Sequence, residues 1–144
     1  MSAIQNSEPK TEYSIKGIEL LKSSINTPDA ALLPVANFQF SISVESRLDP
    51  SAKLIFVIVN IDVMSEDQPK LASIGVSCIY QVVNFDESIK QDAENQYVIP
   101  SKLMDALAAT SFSTTRGIMF SMFKGTFLHS AILPLLDNRK FAQQ

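Results

Sequence analysis

Between Tyr13 and Phe85 the hydrophobic residues of this chain recur at every second position, whereas between Pro100 and Lys124 they recur at helical spacing. That change of period constrains the fold most strongly, because a pattern that gathers apolar residues on one face of a strand scatters them around a helix. The clearest strand runs from Asn37 to Ser46. Phe38, Phe40, Ile42 and Val44 point one way, and Gln39, Ser41, Ser43 and Glu45 point the other. Such alternation predicts a half-buried antiparallel strand with one wet face. Leu54 to Val63 starts apolar on both faces and then carries Asn60 and Asp62 on one side, the pattern of a central strand. Leu71 to Phe85 follows, with Ile74, Val76, Cys78, Tyr80 and Val82 on one face.

The first strand, Tyr13 to Ile25, has a fault in it. Tyr13 and Ile15 share one parity, Ile18 and Leu20 share the other, and the switch falls at Gly17. A bulge at the glycine returns all four to one face. Turn chemistry separates the strands at Asn26–Ala30, Leu48–Ser51 and Ser65–Pro69, and Pro34 lies in the connection after the first of these. Asp86 to Gln96 is charged and predicts a short helix or loop, after which Pro100 and Ser101 open the long helical segment. Four strands followed by helices define an α+β chain: a four-stranded antiparallel sheet with a long helix packed on one face. Residues 1–10 are polar and predict a flexible tail, leaving residues 11–144 as one domain.

The helical segment carries more apolar surface than one sheet contact needs. At about 100° per residue, Phe112, Met119 and Phe123 fall nearly in line, with Ile118 and Met122 on one flank and Phe120 on the other. Over the last two turns the arc covers about half the circumference. A small domain has no second core for the excess, so it is expected to meet a partner subunit, a ligand or another polypeptide. Methionine suits surfaces that accept varied sequences, because its flexible, polarizable side chain repacks around different partners. A sheet only four strands wide leaves edges to cover, so self-association partly through the first strand is also expected.

The chain offers little to chemistry. His129 is the only histidine and Cys78 the only cysteine, which excludes two-histidine and multi-cysteine metal sites and any internal disulfide. Cys78 lies in an apolar run and is expected to be a buried small hydrophobe. Gly17, Gly75, Gly117 and Gly125 are too scattered for a phosphate-binding loop, and no serine has the spacing of a nucleophile elbow. No catalytic residue, metal or cofactor is expected, and the chain is not expected to be an enzyme. The formal net charge of −3 argues against nucleic acid as a partner. The longest continuous apolar run, Leu54 to Val59, is too short to span a bilayer, and the polar N-terminus lacks a signal sequence; the cytoplasm is the expected location.

Several stretches resemble one family. Gly125-Thr126-Phe127, followed by Ile132 and Pro134, is similar to the run that closes the main helix in SecB protein-export chaperones. Tyr13-Ser14-Ile15-Lys16-Gly17-Ile18 resembles their first strand, parity switch included, and Ser24 to Ala30 resembles the turn after it. Val57 to Val63 resembles their third strand in register. The likeness extends from about Tyr13 to Pro134. It implies sheets paired across dimers, long helices sandwiched when two dimers form a tetramer, and apolar grooves that hold unfolded precursors for the translocation motor SecA.

The resemblance thus implies an ATP-independent chaperone that binds unfolded or precursor polypeptides for export. Phe38, Phe40, Met119, Phe120, Met122, Phe123 and Phe127 are the expected peptide-binding or core-lining residues. The chain departs from the family in two places, one of them the fourth strand, where Gly75-Val76-Ser77-Cys78-Ile79-Tyr80 stands in place of the family's Glu-Val run ending in Gly-x-Phe. In the other, where the family's first strand carries the acids that dock the motor, this chain has Lys22 and Asn26, which weakens the expected contact with SecA. The alternative readings are a SecB-like chaperone dedicated to a narrow client set outside secretion, such as an antitoxin, and a structural subunit whose helix is used up in oligomer contacts.

Overall fold

The computed structural model describes residues 11–26, 37–66 and 68–135. Four strands build the sheet: β1 (Tyr13–Ile25), β2 (Phe38–Asp49), β3 (Leu54–Ser65) and β4 (Gln68–Val82). A one-turn helix α1 (Phe85–Ser88) and a small hairpin, β5 (Lys90–Gln91) with β6 (Tyr97–Val98), lead into the long helix α2 (Ser101–Phe123). All sheet pairings are antiparallel, in the order β1-β4-β3-β2. The α+β fold expected from the change of period is present. Pro34, most of the expected turn at Asn26–Ala30, and the tail 1–10 lie outside the described residues.

The bulge at Gly17 is where the parity switch placed it: Ile15 pairs with Tyr80, Gly17 with Ile79, and Ile18 with Cys78. A second shift between Leu20 and Lys22 makes Leu21 the extra residue there. Tyr13, Ile15, Ile18 and Leu20 therefore stand beside Val82, Tyr80, Cys78 and Val76, on the face that also carries Val57 and Val59 of β3 and Val44 of β2.

Helix α2 lies on that face and packs chiefly against β3 and β4. Pro100 precedes its first turn in an extended conformation, φ −54° and ψ 139°, which suits a residue with no amide hydrogen at a helix entrance. It ends where Gly125 takes φ +79°, a left-handed conformation that costs glycine least. Leu103, Leu107, Phe112, Met119 and Phe123 are buried beneath it, against Ile55, Val57, Ile61 and Ile74. Full burial stabilises each such side chain by about 1.5–3 kcal/mol before ordering costs.

One polar seam crosses this interface. The Tyr80 hydroxyl lies 2.7 Å from Ser111 Oγ and donates to the Leu107 carbonyl at 3.3 Å, and the Thr115 hydroxyl turns back to the Ser111 carbonyl at 2.8 Å. The seam fixes which turn of α2 sits over β4, because a buried hydroxyl without a partner is costly. Burial pushes the Tyr80 hydroxyl up to about 12 from an ordinary 10.0, with its bond to Ser111 opposing. Burial likewise pushes the Cys78 thiol up.

The folded state thus holds Tyr80 protonated, and its contribution to stability is complete below pH 10 and lost as the pH rises towards 12. Denaturant midpoints should fall across that window for the wild-type protein and fall less for Tyr80→Phe. At neutral pH that change should cost about 1 kcal/mol. The Cys78 thiol interacts with the Tyr80 hydroxyl, so both proteins carry Cys78→Ala in this comparison; equal slopes would remove Tyr80 as the cause.

Candidate polypeptide-binding surfaces

The helix does not cover the whole sheet, and what it leaves bare is β1. Tyr13, Ile15, Ile18, Leu20 and Ile25 point to the helix side, yet each remains between 38% and 51% exposed. Together they form an apolar strip along the edge strand, and contiguous exposed apolar surface of this kind often marks a contact site. The outer edge of β1 pairs with no other described strand, so its backbone amides and carbonyls are available beside the strip.

A second apolar surface lies at the end of α2. The local sequence builds it in three steps. Gly125 turns the chain out of the helix. Thr126 then locks the turn: its hydroxyl donates to the Phe123 carbonyl at 2.8 Å and accepts from the Leu128 amide at 3.1 Å. Phe127 is left 39% exposed beyond the turn, and Phe120 is 53% exposed in the last turn of the helix. Phe120, Lys124, Gly125, Thr126 and His129 line an open cavity of about 400 Å³. From Ala106 to Leu135 the chain has no acidic residue, and Lys124 places a cation on the rim.

The seven residues singled out in the sequence divide among three environments. Met119 and Phe123 are inside the core. Phe38, Phe40 and Met122 are partly buried at its margin. Phe120 and Phe127 are open to solvent. The wide apolar arc of α2 is accordingly narrower in effect. Ile118 and Met122 lean into the core margin, and along the outer face Ser113, Gly117 and Ser121 are exposed with Phe120. Helical spacing could not separate these groups, because it records which residues share a face and not what the face meets. Lys124 and His129 were missed as lining residues; the signal was the Gly-Thr-Phe turn, which throws both to the same side.

The face away from the helix carries the two positions where family acids were expected. Lys22 stands opposite Gly75, which stands opposite Asn60. A Cβ at Gly75 would fall 2.8 Å from Asn60 Oδ1 and 3.0 Å from Lys22 Cγ, so the lysine stem lies flat across the glycine. Asn26 donates its side-chain amide to the Lys70 carbonyl at 3.2 Å and its backbone amide to the Leu71 carbonyl at 2.8 Å. It holds the ends of β1 and β4 together. Among the described residues no group of three metal-ligating side chains comes together, and no helix is long and apolar enough to cross a membrane.

No protein-family profile and no curated protein matches the sequence. The fold does match a solved one. It superposes with a TM-score of 0.60 on the Mycobacterium tuberculosis SecB-like chaperone Rv1957, solved in complex with a ChAD peptide from the antitoxin HigA1, at 13% identity. The match covers 86% of this chain and 90% of that one. The sheet with its closing helix is thus a SecB-like fold, as the sequence motifs implied.

Phe120 and Phe123 differ by three positions and by their whole environment, which gives a direct test. Phe120→Ser should change stability by no more than about 0.5 kcal/mol and weaken holding of an unfolded polypeptide. Phe123→Ser should cost about 3–5 kcal/mol, as loss of a buried aromatic does. Thermal unfolding followed by circular dichroism separates the two; a large loss at Phe120 would move it into the core.

Proposed function

We propose that this chain is an ATP-independent chaperone that binds unfolded polypeptide segments through its exposed apolar surfaces and performs no catalysis. The reading is carried by two separate apolar surfaces on a SecB-like fold: the strip and free strand edge along β1, which suit a second copy, and the open apolar cavity at the end of α2, which is left for a client. Passive holding needs no nucleotide, and the four scattered glycines build no phosphate loop. Clients are unfolded chains in the cytoplasm, and the assembly is a dimer or a tetramer in which β1 meets a second copy.

A dedicated client is favoured over general export. The Lys22 stem lies across Gly75 on the sheet face where the family resemblance places motor-docking acids, so a basic partner segment meets a cation there. The structural neighbour, moreover, was solved with an antitoxin peptide. Exposed charge pairs contribute up to about 1 kcal/mol each, so any SecA contact is weak and salt-sensitive. Lys22→Asp is the change that tests it, since Asn26 already serves the backbone and is best left intact.

At micromolar concentration and without nucleotide, the protein should suppress aggregation of a chemically unfolded probe protein and sediment as a dimer or larger. Ile18→Lys together with Leu20→Lys should shift sedimentation equilibrium towards the monomer. A monomeric wild-type protein would refute the β1 contact; failure to hold any unfolded probe would refute the chaperone reading.

A further inference from the structure

After the helix-ending turn the chain runs back along α2 as an extended strap, residues 131–135. From Ala131 to Pro134 its side chains alternate: Ala131 and Leu133 are 2% and 1% exposed and enter the core, while Ile132 is 55% exposed and Pro134 also faces solvent; at Leu135, 87% exposed, the alternation ends. Leu128, just before it, is fully buried. Yet no strand or helix claims this segment. Among the described residues, the only hydrogen bonds to the backbone of Leu133 and Pro134 come from one side chain, Arg116 of α2. Its Nε donates to the Leu133 carbonyl at 2.9 Å and an Nη2 hydrogen to the Pro134 carbonyl at 3.1 Å.

Arg116 is built for this contact. Its guanidinium lies over the Phe112 ring, 5.2 Å from the centroid, which orients the plane of donors. No carboxylate pairs with it among the described residues, so its fork is directed at main-chain carbonyls. Carbonyls are common to every polypeptide, and a guanidinium has donors enough to hold two at once whatever the sequence. The strap therefore shows the elements of sequence-tolerant recognition of an extended chain: alternate apolar side chains turned inward, and backbone held by a fixed fork.

We propose that Ala131–Leu135 occupies in cis the track that an extended client segment takes in trans, and that Arg116 is the backbone-capturing residue for both. The inference rests on the chaperone reading and adds to it a site and its regulation. The client class follows from the occupant: an extended stretch with small or aliphatic residues at alternate positions, tolerant of proline because only carbonyls are captured. The strap is displaceable for a physical reason. A strand of the sheet is held to its neighbours by a ladder of backbone bonds, whereas this segment is held to the rest of the fold by buried side chains and one arginine; its own backbone bonds, Ala131 to Leu128 and Ile132 to Ser130, are local.

The test uses the full chain and a permanently unfolded, carboxymethylated probe protein. Leu133→Ser loosens the strap but leaves Arg116 in place; Arg116→Gln loosens the strap and removes the anchor. If the closed strap leaves about a tenth of the molecules competent, Leu133→Ser should tighten probe binding by up to about tenfold. Arg116→Gln should bind no tighter than wild type. Amide exchange should rise at Ala131 and Ile132, whose amides are hydrogen-bonded, in both variants while β3 and β4 stay protected. Wild-type binding with no gain in Leu133→Ser would overturn this proposal alone, and equal gains in both variants would overturn the role of Arg116. Absence of probe binding by all three proteins would overturn the chaperone reading and this one with it. Should Leu133→Ser lose its near-ultraviolet circular dichroism, a synthetic peptide of residues 128–135 serves instead. It should displace the probe from wild type and not from Arg116→Gln; failure to displace it from wild type refutes the proposal.

Discussion

The structure depends on a mismatch of widths. Four strands at about 4.8 Å spacing make a sheet broader than one helix about 10 Å across can cover. Helix α2 settles over β3 and β4, where the apolar pattern is continuous, and the polar seam from Tyr80 to Ser111 holds it in register there. Everything exposed and apolar on the sheet follows from that placement. The edge strand β1 keeps its apolar residues on the helix side without a helix above them. Among the described residues no second helix lies over the strip, which stays exposed unless another segment covers it.

The end of α2 meets the same shortage of cover in a different way. The chain doubles back and contributes Leu128, Ala131 and Leu133 to the core. This cover is made of side chains and a single arginine rather than a paired strand, so it is local and separable from the sheet. A protein that holds unfolded chains needs such elements: apolar surface that stays folded when vacant and does not need a rearranged sheet when filled. Between Ala106 and Leu135 the chain has no acidic residue, in contrast with the overall net charge of −3.

The two sheet faces divide the labour. One carries the core and the apolar strip. The other is polar at Ser73, whose hydroxyl donates to Asp62 at 2.7 Å, and at Asn60 and Lys22. Gly75 matters there because it lets the Lys22 stem lie close to the strand, which keeps the cation near the sheet surface instead of extending it into solvent.

The sequence by itself determined the class of fold, the four strands, the bulge at Gly17 and the extent of α2 to within a residue or two, because periodicity and turn chemistry are local properties of the chain. It also identified the line Phe112, Met119 and Phe123, and the Gly-Thr-Phe turn that resembles SecB. Tertiary structure alone decided the strand order β1-β4-β3-β2, the second bulge at Leu21 and the shelter of Met119 and Phe123 while Phe120 stays open. It also gave Arg116 its partners, 17 and 18 positions away. These depend on which faces meet. A repeat of two or 3.6 residues records what shares a face, but only packing, with its limited width and its need to satisfy every buried polar group, decides what that face touches.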